Sequence, residues 1–252
     1  MAGTEEAFAR RMTEFGREIG LTNSTFANST GWPHPEHKMS ARDLAVLARY
    51  LITEYPRLYP LFAEREFEWS DIKQPNRNPL LFANVGADGL KTGHTEAAGY
   101  GLTASAVRGD RRLILVLNGM KSEQERARDS VRMMNIGFRE FKSLDLFEGG
   151  QEVSSAQVWM GKSPRVPVVV KEPVKVSLHR RARKDMEVKL VYTGPVQAPI
   201  AEGDEVGSLQ ITAPGMEPKS VPVFAGRDVE RVGLTGRIWE ALLYKFYGLP
   251  DA

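Results

Sequence analysis

Between residues 153 and 223 the chain is a succession of short valine-rich runs, VPVVV, VKVSL, VKLVY, VGSLQI and SVPVF, each closed by proline, glycine or a polar cluster. Runs of five or six residues rich in β-branched side chains at this spacing are too short for helices. They fit only a fold that stacks many strands, a small all-β domain. The block begins after Gly149-Gly150, where the composition changes. The chain therefore divides into three segments: residues 1–148, a β-rich domain over 149–226, and an amphipathic helix over 227–252. The fold class is α+β.

The first segment has a different rhythm. From Glu6 to Ile19 the residues Phe8, Met12, Phe15 and Ile19 recur every three or four positions, which predicts a helix with that stripe facing a core. Ser40 is placed to cap a second helix, with Asp43 three residues on and Leu44, Leu47 and Leu51 as its apolar face. Pro56 stops that helix, because the residue before proline is pushed out of helical geometry. From Gly86 the period becomes that of strands. GYGLTASAV and RLILVL are joined by Arg108-Gly-Asp-Arg111 and predict an antiparallel hairpin. A third helix is expected from Ser122 to Phe141, its apolar residues Val131, Met134, Ile136, Phe138 and Phe141.

Composition excludes several functions. With 34 basic and 32 acidic residues the net charge is +2, so no clustered basic surface points to nucleic acid. Cysteine is absent, which removes disulfides, thiol catalysis and Cys-based zinc sites. No apolar run is long enough to span a bilayer, and MAGTEEAFARRMTEFG lacks the apolar core of a signal peptide, so no export signal is expected in this chain.

The chemistry centres on DGLKTGHTEAAGYGLTASA. Lys91-Thr92-Gly93 is not a phosphate-binding loop, since that motif needs Gly before Lys and a helix after it, whereas Leu90 precedes and a strand comes next. The other use of this tripeptide is as one wall of a serine acyl-transfer site. There Lys is a fixed cation, Thr offers a hydroxyl to a substrate carboxylate, and Gly lets a substrate backbone come close. His34 and His37 invite a metal, but Pro33 and Pro35 forbid the continuous helix that would aim them together, so a structured loop is expected and no metal. Arg77, in Asn76-Arg77-Asn78, either orients a carboxylate or holds its loop. The run from His179 to Lys184 is expected as a solvated hairpin tip, with anionic lipid or cell-wall polymer as the alternative contact.

In order, FANSTGWPHPEHKMSARDLAVLARYL, EYPRLYPLF, QPNRNPLL and the Lys-Thr-Gly segment resemble the low-molecular-mass penicillin-binding proteins, the serine-type D-alanyl-D-alanine carboxypeptidases. GFREF, EGDEVGSLQI and the tail resemble that family's second domain and membrane anchor. The resemblance implies a partial DD-peptidase/β-lactamase-like transpeptidase domain and no cofactor. It implies a peptidoglycan stem peptide ending in D-Ala-D-Ala as substrate and β-lactams as ligands of the intact enzyme. The place implied is extracytoplasmic, on the inner membrane. Lys91, Thr92, Gly93 and Arg77 would bind substrate, and the backbone N–H of His94 would serve the oxyanion hole, the residue reading alone leaving an exposed loop histidine. Ile238, Trp239, Leu242, Leu243 and Phe246 would meet the membrane, or dock as an ordinary terminal helix.

The family also uses Ser-x-x-Lys and Ser-x-Asn. Ser-x-Asn does not occur, and AGTEEAFARRMTEFGREIGL resembles the family's sequence immediately after that element, so the resemblance implies a chain starting just downstream of it. The one Ser-x-x-Lys, Ser70-Asp-Ile-Lys73, runs into the turn residues Gln74-Pro-Asn rather than opening a helix, and is expected to be a decoy. The nucleophile and its base are therefore expected to be missing and the chain inactive alone, with a membrane- or wall-binding module as the alternative. Leu113–Leu117 is expected as an open apolar sheet edge, prone to aggregation or to pairing with another chain.

Overall fold

The computed structural model describes residues 3–233, so Ile238, Trp239, Leu242, Leu243 and Phe246 lie outside the described residues. The chain forms two compact units that divide between Arg139 and Glu140.

In the first unit α1 (Glu5–Glu18) is capped by Thr4, whose hydroxyl accepts from Ala7 N, and α2 (Ala41–Glu54) by Ser40, whose hydroxyl accepts from Asp43 N. A small hairpin, β1 (Glu66–Trp69) and β2 (Ile72–Pro75), precedes a three-stranded antiparallel sheet. Its strands are β3 (Ala87–Thr95), β4 (Gly99–Arg108) and β5 (Arg111–Met120), in that order, so β3 and β5 are both edges. The helix α3 (Glu123–Glu140) comes next. It opens with Ser122 Oγ accepting from Glu125 N while Glu125 Oε2 accepts from Lys121 N.

Both faces of the sheet are covered. Leu102, Ala104 and Ala106 pack with Leu80, Val85 and Met134, while Leu113 and Leu115 close that side. On the other side Leu90 and Ile114 meet Ala48, Leu51 and Ile52 of α2 and the ring of Tyr59. This two-sided burial explains the unbroken apolar run in β5. Among the described residues no further strand pairs with its outer edge, and its side chains are half-buried rather than bare.

Two helix faces differ from expectation. Phe8 and Phe15 are each 45% exposed, and the buried face of α1 is Ala9 and Gly16, where Leu21 and Phe26 come within 3.4–3.5 Å of a Cβ built on the glycine. Small residues win that face because the neighbours crowd it. Phe141 is not the end of α3: it begins β6.

The second unit holds β6 (Phe141–Phe147), β7 (Glu152–Trp159), β8 (Arg165–Val169), β9 (Val174–His179), β10 (Glu187–Tyr192), β11 (Val196–Gln197), β12 (Glu205–Thr212) and β13 (Lys219–Ala225). A six-stranded sheet runs β10-β12-β13-β8-β7-β11, and β6 pairs with β9. Alternate residues from both sheets, among them Val166, Val168, Val176, Leu178, Leu209, Ile211 and Val223, make one core. The basic run 180–185 is not a hairpin tip, because β9 and β10 belong to different sheets. It is a 3-10 turn anchored by buried Ala182, with His179 Nδ1 accepting from Arg181 N.

Asp43 is the most buried charge in the first unit, fully covered, and accepts from Asn23 N at 2.7 Å and Ser24 Oγ at 2.6 Å. Burial pushes its carboxyl up, but the bonds from Ser24, Asn23 and Ser40, with Arg42 nearby, outweigh it and hold the group below the usual carboxylate range. The unfolded carboxyl titrates near ~4, so the stabilisation is complete above that pH and disappears as pH falls through the lower folded value. Asp43→Ala takes the acceptor from the buried Ser24 hydroxyl and the part-buried Asn23 N–H and should cost about 3 kcal/mol in urea denaturation at neutral pH, a difference that narrows in acid.

Candidate active site

Lys91-Thr92-Gly93 lies on β3, whose outer edge pairs with no strand among the described residues. Strand alternation buries Leu90 and Thr92 and leaves Lys91 and Gly93 exposed. A Cβ added at Gly93 would meet nothing within 4 Å, so packing does not demand glycine there; its bareness leaves the strand open to another backbone.

Beneath the strand the segment from Asn76 to Asn78 is locked by its two asparagines. Asn78 Nδ2 donates to Gly89 O at 2.8 Å and its Oδ1 accepts from Leu80 N, while Asn76 Oδ1 accepts from Asn78 N and its Nδ2 donates to Glu64 O. Arg77, between them, is exposed, so the neighbouring asparagines hold the loop. A cleft of about 440 Å³ is lined by Arg77, Lys91 and Thr92 together with Phe67, Gln74 and Glu66, the last paired to Lys73.

Lys91 Nζ donates to Thr92 O at 2.6 Å. Its ammonium is held below the ordinary lysine range by partial burial, then by the charges of Arg77 and Arg126. Arg126 is a site residue that sequence patterning does not reveal. Its side chain is 6% exposed; one terminal nitrogen lies 3.5 Å from Glu123 Oε1, and its Nε has no hydrogen-bond partner. It sits in the first turn of α3, where the helix dipole opposes a cation. Its guanidinium lies 5.5 Å from the Tyr100 ring, and Tyr100 stacks on His94 with centroids 4.0 Å apart. Arg126, Ser130 and Met134 form the buried i, i+4 stripe of α3, a periodicity that would have exposed the arginine had arginine not been read as surface by default. Two cations, Lys91 and Arg77, therefore line a cleft at the strand edge, and the charge of buried Arg126 acts on Lys91 as well, an arrangement suited to a carboxylate held beside an extended backbone.

Residues 1–122 match the D-alanyl-D-alanine carboxypeptidase family and residues 141–231 the C-terminal domain of penicillin-binding protein 5. The fold aligns with penicillin-binding protein 5 from Haemophilus influenzae at a TM-score of 0.77 and 30% identity, covering 91% of this chain and 68% of that one. The chain belongs to the D-alanyl-D-alanine carboxypeptidase family. Among relatives of this family, carboxypeptidase DacC of Escherichia coli is 34% identical over 249 residues, 98% of this chain. DacF of Bacillus subtilis is 30% identical over 239 residues, 92% of this chain. The chain spans 62% of the DacC length and 61% of that of DacF.

Among the described residues that line the cleft there is no serine. Ser70 and Asp71 are the two-residue turn of the β1–β2 hairpin, with φ of 51° and 60°, and Lys73 pairs with Glu66 and Glu68 on the hairpin's other strand. His34 and His37 serve their loop: His34 Nδ1 accepts from Glu36 N and His37 Nδ1 from Ala27 N.

A buried, half-paired arginine is costly to the fold. Arg126→Met should leave the melting temperature unchanged or raise it, while weakening carboxylate binding at least about tenfold, as expected for loss of a charge-assisted contact. Calorimetry and a binding titration on the same variant check both halves.

Proposed function

We propose that this chain supplies the substrate-binding wall and second domain of a serine-type D-alanyl-D-alanine carboxypeptidase acting in peptidoglycan maturation. The observation that carries the reading is the cleft that brings Lys91, Thr92 and Arg77 together beside the outer edge of β3. A stem peptide ending in D-Ala-D-Ala lies along that edge as an added strand, its terminal carboxylate held by the cations and the Thr92 hydroxyl, with Gly93 giving clearance. The N–H of His94, two residues beyond Thr92, is the oxyanion donor of the acyl-transfer step. In the intact enzyme a serine attacks the penultimate carbonyl, terminal D-alanine leaves, and water hydrolyses the ester. A β-lactam enters the same cleft through its own carboxylate.

The enzyme works outside the cytoplasm, and the sequence from Ile238 to Phe246 is its peripheral membrane contact. Among the described residues no helix is long and apolar enough to cross a membrane. A non-catalytic binding module is the second reading, favoured by the place of Ser70 in an exposed hairpin turn.

Benzylpenicillin added to the folded chain should bind reversibly, by saturation-transfer NMR, and leave the intact mass unchanged. Lys91→Ala should abolish the transfer. A stoichiometric adduct would make Ser70 or another serine a nucleophile, and absence of any binding would sink the carboxylate cleft.

A further inference from the structure

The second unit holds a stretch of sheet edge that its own strands leave unused. β13 pairs with β12 along residues 219–224, but with β8 only at Phe224 and Ala225, opposite Val169 and Val168. β8 ends there, so along residues 219–223 no strand among the described residues pairs on that side. Pro222 sets the phase of this edge. In an antiparallel ladder, directly opposed residues alternate between pairs that exchange both hydrogen bonds and pairs that exchange none. Pro222, opposite Ser208, has no N–H to exchange, so Val221 and Leu209 form the bonded pair beside it. The N–H and C=O of Ser220 and the C=O of Pro222 therefore point away from β12, toward the open side.

A cavity of about 430 Å³ lies at this edge, between residues 171–174 and the outer part of β13. Val174, Val221 and Pro222 give it apolar surface. Lys171 Nζ stands 3.6 Å from the centre of the Phe224 ring and donates to Gly203 O at 3.4 Å. Lys219 Nζ donates to Lys175 O at 2.8 Å. Among the described residues neither ammonium pairs with a carboxylate, and Glu172 is the one acidic residue in the lining. Backbone groups without a ladder partner, an apolar floor and two lysines thus share one groove.

We propose that this groove binds an extended peptide carrying carboxylate side chains, which joins the sheet as a strand beside β13 where β8 stops short. The peptide donates two N–H groups to Ser220 O and Pro222 O, and one of its carbonyls accepts from Ser220 N. Its apolar side chains cover Val174 and Val221. Its carboxylates take up Lys171 and Lys219 in charge-assisted hydrogen bonds, in place of the neutral carbonyls those lysines now hold. Charge chooses the occupant. A bare edge accepts any extended chain, whereas two ammoniums against one carboxylate favour an acidic segment and repel a basic one. The site uses the second unit alone and is independent of the cleft beside β3.

The open edge spans roughly 16 Å at ~3.3 Å per residue, the length of a pentapeptide. The test is therefore a titration of the whole isotope-labelled chain with acetyl-Glu-Val-Thr-Val-Glu-amide and with acetyl-Lys-Val-Thr-Val-Lys-amide, read by backbone amide shifts in NMR at low salt. The acidic peptide should shift residues 171–174 and 219–224 and bind at least about tenfold more tightly than the basic one, a gap that added salt narrows. Ser220→Pro removes the one outward donor without touching a bond to β12, so the chain should stay folded and bind the acidic peptide at least about fivefold more weakly. Lys171→Glu, a change at an exposed side chain, should bring the two affinities together. Absence of shifts at these residues, equal affinities of the two peptides, or full affinity in a folded Ser220→Pro variant would overturn the proposal. Shifts there with phosphatidylglycerol vesicles but with neither peptide would also overturn it, in favour of a lipid surface.

Discussion

The carboxamide of Asn78, fully buried, donates to Gly89 O and accepts from Leu80 N, and the position of the whole cleft depends on that pair of hydrogen bonds. It ties the loop carrying Arg77 to the strand carrying Lys91, so two like charges are held near each other by a neutral residue between them. Two guanidiniums and an ammonium repel, and the partial burial of Lys91 adds to the strain on its charge. An unliganded cluster of this kind is an unfavourable arrangement sustained by the surrounding fold. A bound carboxylate relieves it, which is why such clusters mark binding sites.

The sheet supplies the second half of the design. With β4 in the centre, β3 has one satisfied edge and one open edge, while its faces are sealed by helices. An open edge is normally a liability, and in the proposed function it is the template against which an extended peptide is read. Gly93 keeps the approach clear, and His94 is braced by Tyr100, whose ring also lies beside Arg126. His94, Tyr100 and Arg126 thus form a continuous column across β3, β4 and α3.

Much of this is legible in the sequence for physical reasons that can be named. The β4–β5 hairpin announces itself through strand-like patterning and a Gly-Asp turn, β3 only through its Lys-Thr-Gly motif, and five strands of the second unit through valine content. The β1–β2 hairpin does not, because Glu66–Trp69 and Ile72–Pro75 are short and wholly exposed, and Ser70-Asp71 is an uncommon pair for a turn with both φ positive. β6 and β7 escape because FKSLDLF and EVSSAQVW mix charged and small polar residues into the strand pattern. Phe8 and Phe15 mislead because size suggests burial, when the crowded face of α1 admits only Ala9 and Gly16. Within the cleft, Lys91, Thr92 and Arg77 come from the motif and its flanks. Arg126 is invisible because patterning assigns arginine to the surface.

The central claim is that the free edge of β3 recognises a peptide by its terminal carboxylate. The most direct measurement compares Nα-acetyl-D-Ala-D-Ala with its C-terminal carboxamide by calorimetry at low salt. The account predicts that the acid binds at least about tenfold more tightly, and that added salt narrows the gap as the three cations are screened. Equal affinity for acid and amide would contradict it, because the cations would then have no part in recognition.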